Sequence, residues 1–219
     1  MRSTPFLIAL LALAAAAQPA AAESQQEEGA EIFHLCVQCH GKDGGGNPET
    51  LAPAIAGMDE WYVKAQLQKF RSGARGTHPS DVAGMRMRPM SLSLHTDEQV
   101  AAVAAYVASL ARVAAKPTLE GGDPTRGQAL YAPCAACHGP DAAGIQPLNG
   151  APLRASSDWY LLKQIHNFRT GVRGTNPLDT TGALMRPMSM TLADDQAILD
   201  VIAYIATLSG SVSGSGSGH

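Results

Sequence analysis

The sequence predicts an all-α protein built from two tandem copies of one small helical domain. Aligned with itself, the chain matches at an offset of 98 residues and needs no gap. Apolar residues recur at helical spacing in both copies, and no segment shows the alternating pattern that is typical of half-buried strands. Each copy spans about 90 residues, so the chain is expected to form two separate helical bundles.

The repeat places chemically distinctive residues in register. The aligned pairs are two tryptophan-tyrosine pairs and two Met-Arg-Pro-Met-Ser segments: Trp61 and Tyr62 with Trp159 and Tyr160, and residues 87–91 with residues 185–189. We interpret the recurring aromatic pairs as core residues rather than as an electron relay. On this register the first domain covers residues 23–113, a linker with proline and glycine covers 114–123, and the second domain covers 124–209.

Both ends of the chain lie outside the predicted domains. Arg2 precedes an apolar run over residues 6–17 and three alanines at 20–22, which is the layout of a cleavable secretory signal. The run is shorter than the roughly 20 residues needed to span a bilayer. We therefore expect residues 1–22 to be a signal peptide and the mature protein to be periplasmic. Residues 210–219 are mostly Ser and Gly and are predicted to form a flexible tail.

Three helices are predicted in each copy. A short helix leads into each cysteine motif, around Phe33 in the first copy and Tyr131 in the second. A second helix covers residues 61–70 and, one repeat later, residues 159–168. The third is the last helix of each domain, and its predicted start and apolar face are the clearest of the three.

Capping residues and apolar stripes mark these last helices. Thr96 with Gln99 resembles a capping box in the first copy, and Asp194 can cap the helix in the second. Apolar side chains then recur at helical spacing: Val100, Val103, Val107 and Leu110, and one repeat later Ile198, Ile202, Ile205 and Leu208. Each stripe is expected to face the core of its domain.

All four cysteines lie in two Cys-x-x-Cys-His motifs, at residues 36–40 and 134–138, which is the attachment signature of c-type haem. Two thiols three positions apart on a helical turn can each add to a haem vinyl group, and the histidine that follows can ligate the iron. Disulfides or a split zinc site would not require a histidine after each second cysteine. The sequence thus predicts two covalently attached haem c groups, held by Cys36, Cys39, His40, Cys134, Cys137 and His138.

A low-spin electron carrier needs a second axial ligand, and a ligand used in both copies should recur 98 residues apart. None of the other histidines recurs, and we interpret them as surface or interface residues: His34, His78, His95 and His166. Two methionine pairs do recur, Met87 with Met185 and Met90 with Met188. A neutral thioether stabilises ferrous iron and raises the reduction potential. One methionine of each copy is therefore the expected ligand, and the other is expected to fill the core.

These motifs resemble the diheme cytochrome c4 family of class I cytochromes c. The resemblance covers residues 25–209 and rests on the two haem motifs, on segments 62–73 and 160–171, and on the Met-x-x-Met segment before each last helix. It implies two tandem class I cytochrome c domains, each a small helical bundle around a covalently bound haem.

The resemblance also bears on the choice of methionine. In that family the earlier methionine of the segment looks like the ligand, which implies Met87 and Met185. This chain departs from the family by about one extra residue between the methionines and each last helix. Spacing in single-haem relatives instead resembles Met90 and Met188. We favour Met87 and Met185.

Two further features are candidates for haem contacts. Pro53 and Pro152 follow the two haem histidines, and class I relatives often use a proline carbonyl to accept a hydrogen bond from the proximal imidazole; ordinary loop rigidity is the alternative. Four recurring arginines lie beside a glycine-rich turn: Arg71, Arg75, Arg169 and Arg173. They are interpreted as partners of haem propionates or as solvated loop charges.

An iron closed by histidine and methionine can change oxidation state but offers no open position for a substrate. We therefore expect an electron carrier without enzymatic activity. The resemblance implies single-electron transfer between a quinol-oxidising complex and a terminal oxidase or reductase, which would be its redox partners. The protein is expected to be a monomer that can associate with a membrane complex. Its net charge of −3 and the lack of a strongly basic half exclude a nucleic-acid partner.

Two alternative functions stay open at this point. One is a haem-bearing subunit docked on an oxidase or dehydrogenase. The other is a diheme redox enzyme, such as a peroxidase or a thiosulfate-oxidising cytochrome, which would need an iron that opens or carries an unusual ligand. The gapless repeat favours two equivalent closed sites.

Overall fold

The computed structural model describes residues 9–113, 116–154 and 156–210. Within these residues the chain forms eight α-helices and one 3₁₀ turn and no β-strand, which confirms the predicted all-α class. In chain order the helices are α1 (Ala9–His40), α2 (Glu60–Arg71), α3 (Val82–Leu92), α4 (Asp97–Ser109), α5 (Pro124–His138), α6 (Asp158–Arg169), α7 (Thr180–Met190) and α8 (Asp195–Gly210). The 3₁₀ turn is Gln146–Leu148.

In each domain the helix that carries the cysteine motif packs against the last helix, α1 on α4 and α5 on α8. Glycine is required where these helices cross. A Cβ atom on Gly29 would lie 2.2 Å from the carbonyl oxygen of Ala102, and one on Gly127 would lie 1.9 Å from that of Asp200. The two crossings are one repeat apart, so the duplication extends to the packing of the backbone.

Each domain has its own apolar core next to this crossing. The buried members are Phe33, Leu67, Leu94, Val100, Val103 and Val107 in the first domain, and Tyr131, Ala142, Leu161, Leu192, Ala197, Ile198, Val201, Ile202 and Ile205 in the second. A pair of aromatic rings joins the crossing helices, with centroids 5.2 Å apart for Phe33 and Tyr106 and 5.5 Å apart for Tyr131 and Tyr204. The stripes predicted for the last helices therefore face the two cores.

The predicted caps of the last helices are present, with one difference. The Thr96 hydroxyl accepts a hydrogen bond from the Gln99 backbone N–H at 3.2 Å, and the Asp194 carboxylate accepts from that of Ala197 at 2.8 Å. The Gln99 side chain accepts from the backbone N–H of His95 at 2.8 Å. A complete capping box would use the N–H of Thr96 instead.

Helices α3 and α7 contain the Met-Arg-Pro-Met segments. An aspartate caps the start of each helix, and its carboxylate accepts from a backbone N–H of the first turn at 3.1 Å: Asp81 from Gly84, and Asp179 from Gly182. The prolines of the two segments lie inside the helices, near their C-terminal ends. These two short helices were absent from the elements predicted from the sequence.

The ends of the chain are described only in part. Residues 1–8 of the predicted signal peptide and 211–219 of the predicted tail lie outside the described residues. The helix before the first cysteine motif is longer than predicted, because α1 begins at Ala9. In the part of the chain that the structure describes, no helix combines the length and apolar character needed to cross a membrane.

The two domains contact each other through polar side chains. The Lys69 ammonium lies 2.6 Å from a carboxylate oxygen of Asp179. The Asn176 side-chain amide donates to the backbone carbonyl of Gly73 at 2.8 Å. The Arg75 guanidinium donates to the Tyr160 hydroxyl at 3.3 Å. These contacts join the glycine-rich turns and second helices of both copies.

The linker is fixed to the second domain by one carboxylate. Asp158, the first residue of α6, accepts hydrogen bonds from the backbone N–H groups of Thr118 and Leu119 at 2.6 and 2.8 Å. The Thr118 hydroxyl also donates to this carboxylate at 2.9 Å. The end of the linker therefore belongs structurally to the second domain.

Replacing Gly127 by alanine is expected to destabilise the second domain by about 1–3 kcal/mol, because α5 and α8 must separate to admit the new methyl group. Denaturant unfolding of the haem-loaded protein, followed by far-ultraviolet circular dichroism, measures this loss. Gln128→Ala, at an exposed position on the same helix, is the control and should change the free energy of unfolding by less than about 0.5 kcal/mol. Wild-type stability of Gly127→Ala would contradict the close crossing.

Candidate haem-binding sites

Each cysteine motif forms the last turn of a helix. Helix α1 ends at His40 and α5 at His138. The next residue in each copy is a glycine with a positive φ, 80° at Gly41 and 81° at Gly139, a conformation that side-chain-bearing residues rarely adopt. The backbone therefore leaves the helix directly after the histidine, and the two cysteines of each motif lie about one turn apart.

None of the four cysteines, Cys36, Cys39, Cys134 and Cys137, forms a disulfide in the structure. The disulfide alternative considered for the motifs is thus not realised. The second cysteine of each motif is exposed and the first is partly buried. Among the described residues no group of three or more His, Cys, Asp or Glu side chains is arranged to hold a metal ion.

Both motif histidines are buried and held by a backbone carbonyl. Nδ1 of His40 lies 2.8 Å from the carbonyl oxygen of Pro53, as predicted for the first domain. Nδ1 of His138 lies 2.8 Å from the carbonyl oxygen of Ala151, so the prediction of Pro152 is wrong. Any residue can supply a carbonyl, and the duplicated backbone keeps the acceptor 13 positions beyond the histidine in both copies.

This hydrogen bond fixes the chemistry of the imidazole. Because a carbonyl can only accept, Nδ1 carries the hydrogen, which leaves the Nε2 lone pair for a metal. Burial lowers the pKa of His40 and of His138, and the backbone carbonyl that each contacts opposes this effect. Both imidazoles are therefore neutral near pH 7, which is the form that ligates iron.

A large cavity opens beside the first motif. Its volume is about 1370 Å³ when the open space at its mouth is included. Cys36, Cys39 and His40 line one side. Tyr160 and Gln164 of the second domain complete the wall, so the first cavity is formed by both domains.

Both candidate methionines of the first domain lie on this cavity. Met87 and Met90 line it from helix α3, three residues apart and therefore on neighbouring positions of one helix face. Met87 is half-buried and packs against the apolar core, whereas Met90 is 40% exposed. In the second domain Met185 and Met188 are both half-buried on α7.

The four recurring arginines divide into two kinds. Arg71 forms an ion pair with Asp97 at 2.7 Å, and Arg169 donates to the backbone carbonyl of Leu192 at 2.6 Å. These two arginines bind partners within their own domains. Arg75 and Arg173 are instead buried, so the alternative of a solvated loop charge is wrong for them.

The two buried guanidinium groups share one environment. Each stacks on a phenylalanine ring, Arg75 at 4.3 Å from the Phe70 centroid and Arg173 at 4.4 Å from that of Phe168. Each also donates to a glutamine side chain at 2.6 Å. In both, the Nε atom is buried and has no hydrogen-bond partner among the described residues. Burial and the like charge of Arg75 lower the pKa of Arg173 to about 10.

The residues of the site fit haem c. The thiols and the neutral imidazole lie together on one side of an extended cavity, and the methionines lie on α3. In both buried guanidinium groups the Nε donor has no hydrogen-bond partner in the described part of the chain, and an acceptor at that place would remove the cost of burying an unpaired polar group. The carboxylate side chains of a haem are such acceptors, and Arg75 itself lines the first cavity.

Sequence reasoning missed the contribution of the second domain to the first cavity. Tyr62 and Tyr160 were interpreted as core residues because they recur beside tryptophan. The structure instead places both tyrosines on the cavity wall. Burial and the nearby Tyr160 raise the pKa of Tyr62 to about 12. The tyrosine hydroxyl that recurs in both copies indicates a polar contact for each ring. The repeat alone does not show which surfaces of the two domains contact each other.

The family model for cytochrome c matches residues 26–111 and, separately, residues 124–209. This chain belongs to the cytochrome c family. Its tandem arrangement is that of the cytochromes c4: it is 30% identical to cytochrome c4 of Azotobacter vinelandii, over 80% of this chain and 84% of the relative. The predicted c4 family, the two tandem cytochrome c domains and the two covalent c-type haems are thereby confirmed.

Two further proteins are similar to most of this chain. The chain is 33% identical to a thiosulfate dehydrogenase electron acceptor of Stutzerimonas stutzeri, over 79% of this chain and 78% of that protein. Among solved structures, reduced cytochrome c4 of Pseudomonas stutzeri matches with a TM-score of 0.63 and 28% identity, covering 82% of this chain and 96% of that one.

The thiosulfate dehydrogenase TsdBA of Marichromatium purpuratum matches with a TM-score of 0.66 and 30% identity. The match covers 83% of this cytochrome but 40% of the TsdBA chain. The similarity therefore concerns one part of that longer protein.

Replacing Tyr160 by phenylalanine is expected to weaken the contact between the domains, because it leaves a buried guanidinium donor of Arg75 without its acceptor. The expected loss is about 1.5–3 kcal/mol, the usual range for a hydrogen bond to a charged group. Denaturant unfolding of the haem-loaded cytochrome measures it. Tyr62→Phe is the matched control, since Arg173 does not donate to Tyr62 in the described structure. Equal losses in the two variants would contradict this asymmetry.

Proposed function

We propose that this cytochrome is a periplasmic electron carrier that passes single electrons from a quinol-oxidising complex to a terminal oxidase or reductase. The observation that carries the proposal is the buried histidine that a backbone carbonyl holds in each domain, and in the first domain this histidine and two methionines line one cavity. The iron of a bound haem supplies one-electron oxidation and reduction. A histidine and a methionine of this chain would ligate that iron in each domain and would leave it no position for a substrate.

The proposed sixth ligands are Met87 and Met185. Partial burial and core packing favour Met87 over the more exposed Met90, because a ligand must be held in one position. Met185 and Met188 are both half-buried, so exposure does not favour either of them as the ligand. The assignment in the second domain rests on register, since Met185 lies 98 residues after Met87.

The proposed roles of the buried arginines follow from their unsatisfied donors. Arg75 and Arg173 would bind haem propionates through Nε, while Arg71 and Arg169 would keep their partners within the protein. Each proximal imidazole would remain oriented by its carbonyl partner. The cationic groups would also offset the negative charge that propionates bring into a partly buried site.

Replacing Met87 by alanine is expected to abolish the sulfur-to-iron charge-transfer absorbance of the first haem, and so to halve the band of the oxidised cytochrome. Met90→Ala is the matched control and should keep the full band. The same pair, Met185→Ala and Met188→Ala, tests the second domain. A halved band in Met90→Ala with a full band in Met87→Ala would reverse the assignment.

A second candidate partner is a thiosulfate dehydrogenase. Its support is the similarity to a protein named as the electron acceptor of such an enzyme, over 79% of this chain. In that role the cytochrome would still be the carrier and the dehydrogenase would perform the oxidation. A peroxidase or a thiosulfate-oxidising enzyme would instead need an iron that opens, which two histidine-methionine sites do not provide.

Stopped-flow reduction of the oxidised cytochrome tests the proposed partners. With membranes that contain a quinol-oxidising complex and with added quinol, both haems should be reduced within the turnover time of the complex. A thiosulfate dehydrogenase with thiosulfate should reduce the cytochrome faster if the second candidate is correct. Thiosulfate or peroxide alone should give no turnover, and turnover with either would contradict a carrier role.

A further inference from the structure

The contact between Lys69 and Asp179 is the most buried ion pair of the described residues. The Lys69 side chain is 18% exposed and the Asp179 side chain is 0% exposed. The ammonium also donates a short hydrogen bond to the Thr181 hydroxyl. A lysine of the first domain thus binds the start of helix α7 in the second domain.

The residues that form this ammonium site have no full counterpart in the other copy of the repeat. One repeat away, Asn167 takes the place of Lys69, and Ala83 takes the place of Thr181. Only the carboxylate recurs, because Asp81 aligns with Asp179. Asn167 is 1% exposed, and its amide nitrogen has no hydrogen-bond partner within the described chain. A carboxamide has no net charge, so it cannot neutralise an aspartate.

The two aspartates lie at equivalent places in their domains. Asp81 caps α3, which carries Met87, and Asp179 caps α7, which carries Met185. Asp81 also lines the cavity of the first domain. Each carboxylate is therefore a buried negative charge close to the methionine side of its domain.

Other charges at these sites are repeated or exposed. Arg75 and Arg173 occur in both copies, so they do not distinguish the domains. Arg86 lines the first cavity and aligns with Leu184, but it is exposed to solvent. Solvent screens an exposed charge several-fold more strongly than a buried one. Among the charges around the two capping aspartates, Lys69 is thus the largely buried one that occurs in only one copy.

We propose that Lys69 separates the reduction potentials of the two haems by neutralising Asp179, while the equivalent Asp81 keeps its negative charge. Ferric iron carries one more positive charge than ferrous iron, so a nearby carboxylate favours the oxidised state. The haem of the second domain is then the more easily reduced. This inference rests on the proposed histidine-methionine ligation in both domains.

Potentiometric titration of the haem-loaded cytochrome, followed by absorbance, tests the inference. Lys69→Asn introduces the residue of the other copy and should lower the higher of the two potentials. The expected change in the reduction equilibrium constant of that haem is about three- to tenfold, and tenfold corresponds to 59 mV for a one-electron couple. The separation between the two steps should narrow. An unchanged or widened separation would overturn the proposal.

Three further variants separate a charge effect from a structural one. Lys69→Arg keeps the cation and should keep the wild-type separation. Asp81→Asn keeps a good helix cap, removes the charge and should raise the lower potential, which also narrows the separation. Arg86→Leu removes an exposed charge and should have a smaller effect than Lys69→Asn. If Lys69→Arg behaves like Lys69→Asn, the ion pair acts through packing and the proposal fails.

The charge-transfer band distinguishes failure of this inference from failure of the proposed ligation. A full band in every variant, with unchanged potentials, would refute the role of Lys69 and leave the two closed sites intact. A wild-type cytochrome without the band would refute the ligation itself.

Discussion

The hydrogen bond from a buried histidine to a backbone carbonyl is the constraint on which each domain depends. It requires a helix that ends at the histidine and a loop that returns the carbonyl to within 2.8 Å of Nδ1. An isolated β-bridge closes that loop in each copy, between Asn47 and Ala52 and between Ile145 and Gly150. A Cβ on Gly150 would lie 1.7 Å from the carbonyl oxygen of Cys137, so the returning chain lies directly against the haem motif. The fixed imidazole would then orient the Nε2 lone pair toward the iron of a bound haem.

The sequence predicted those parts of the molecule that depend on local chemistry. The cysteine motifs, the capping aspartate Asp194 and the apolar stripe of α8 are each defined by a few neighbouring residues. Helices α3 and α7 were missed, because an internal proline lowers helix propensity and their apolar residues follow no clear period. Pro152 was predicted as the acceptor because residue identity was given more weight than register. The acceptor is a backbone carbonyl, which every residue has, so the position in the loop selects Ala151 and the side chain does not.

The contact between the domains could not be predicted from the repeat. Duplication specifies two similar bundles, but the surfaces that meet depend on residues that differ between them. Lys69, Asn176 and Ser157 all contact the other domain or its turn, and none is matched by the same residue one repeat away. Through these contacts the second domain completes the wall of the first cavity with Tyr160 and Gln164. The two sites share a backbone and still have different surroundings.

This difference would matter for an electron carrier whose two irons had the same protein ligands, as proposed for this chain. Two haems with identical ligands and identical surroundings would have the same reduction potential. Their potentials can differ only if charges outside the ligand set differ. Exposed charges contribute little, since solvent and salt screen them. A charge buried at the interface is screened less, and it is held at a fixed distance by its ion-pair partner. One substitution at a buried interface position, Lys69 where the other copy has Asn167, would therefore be sufficient to give the two haems different potentials without a change in the residues that hold them.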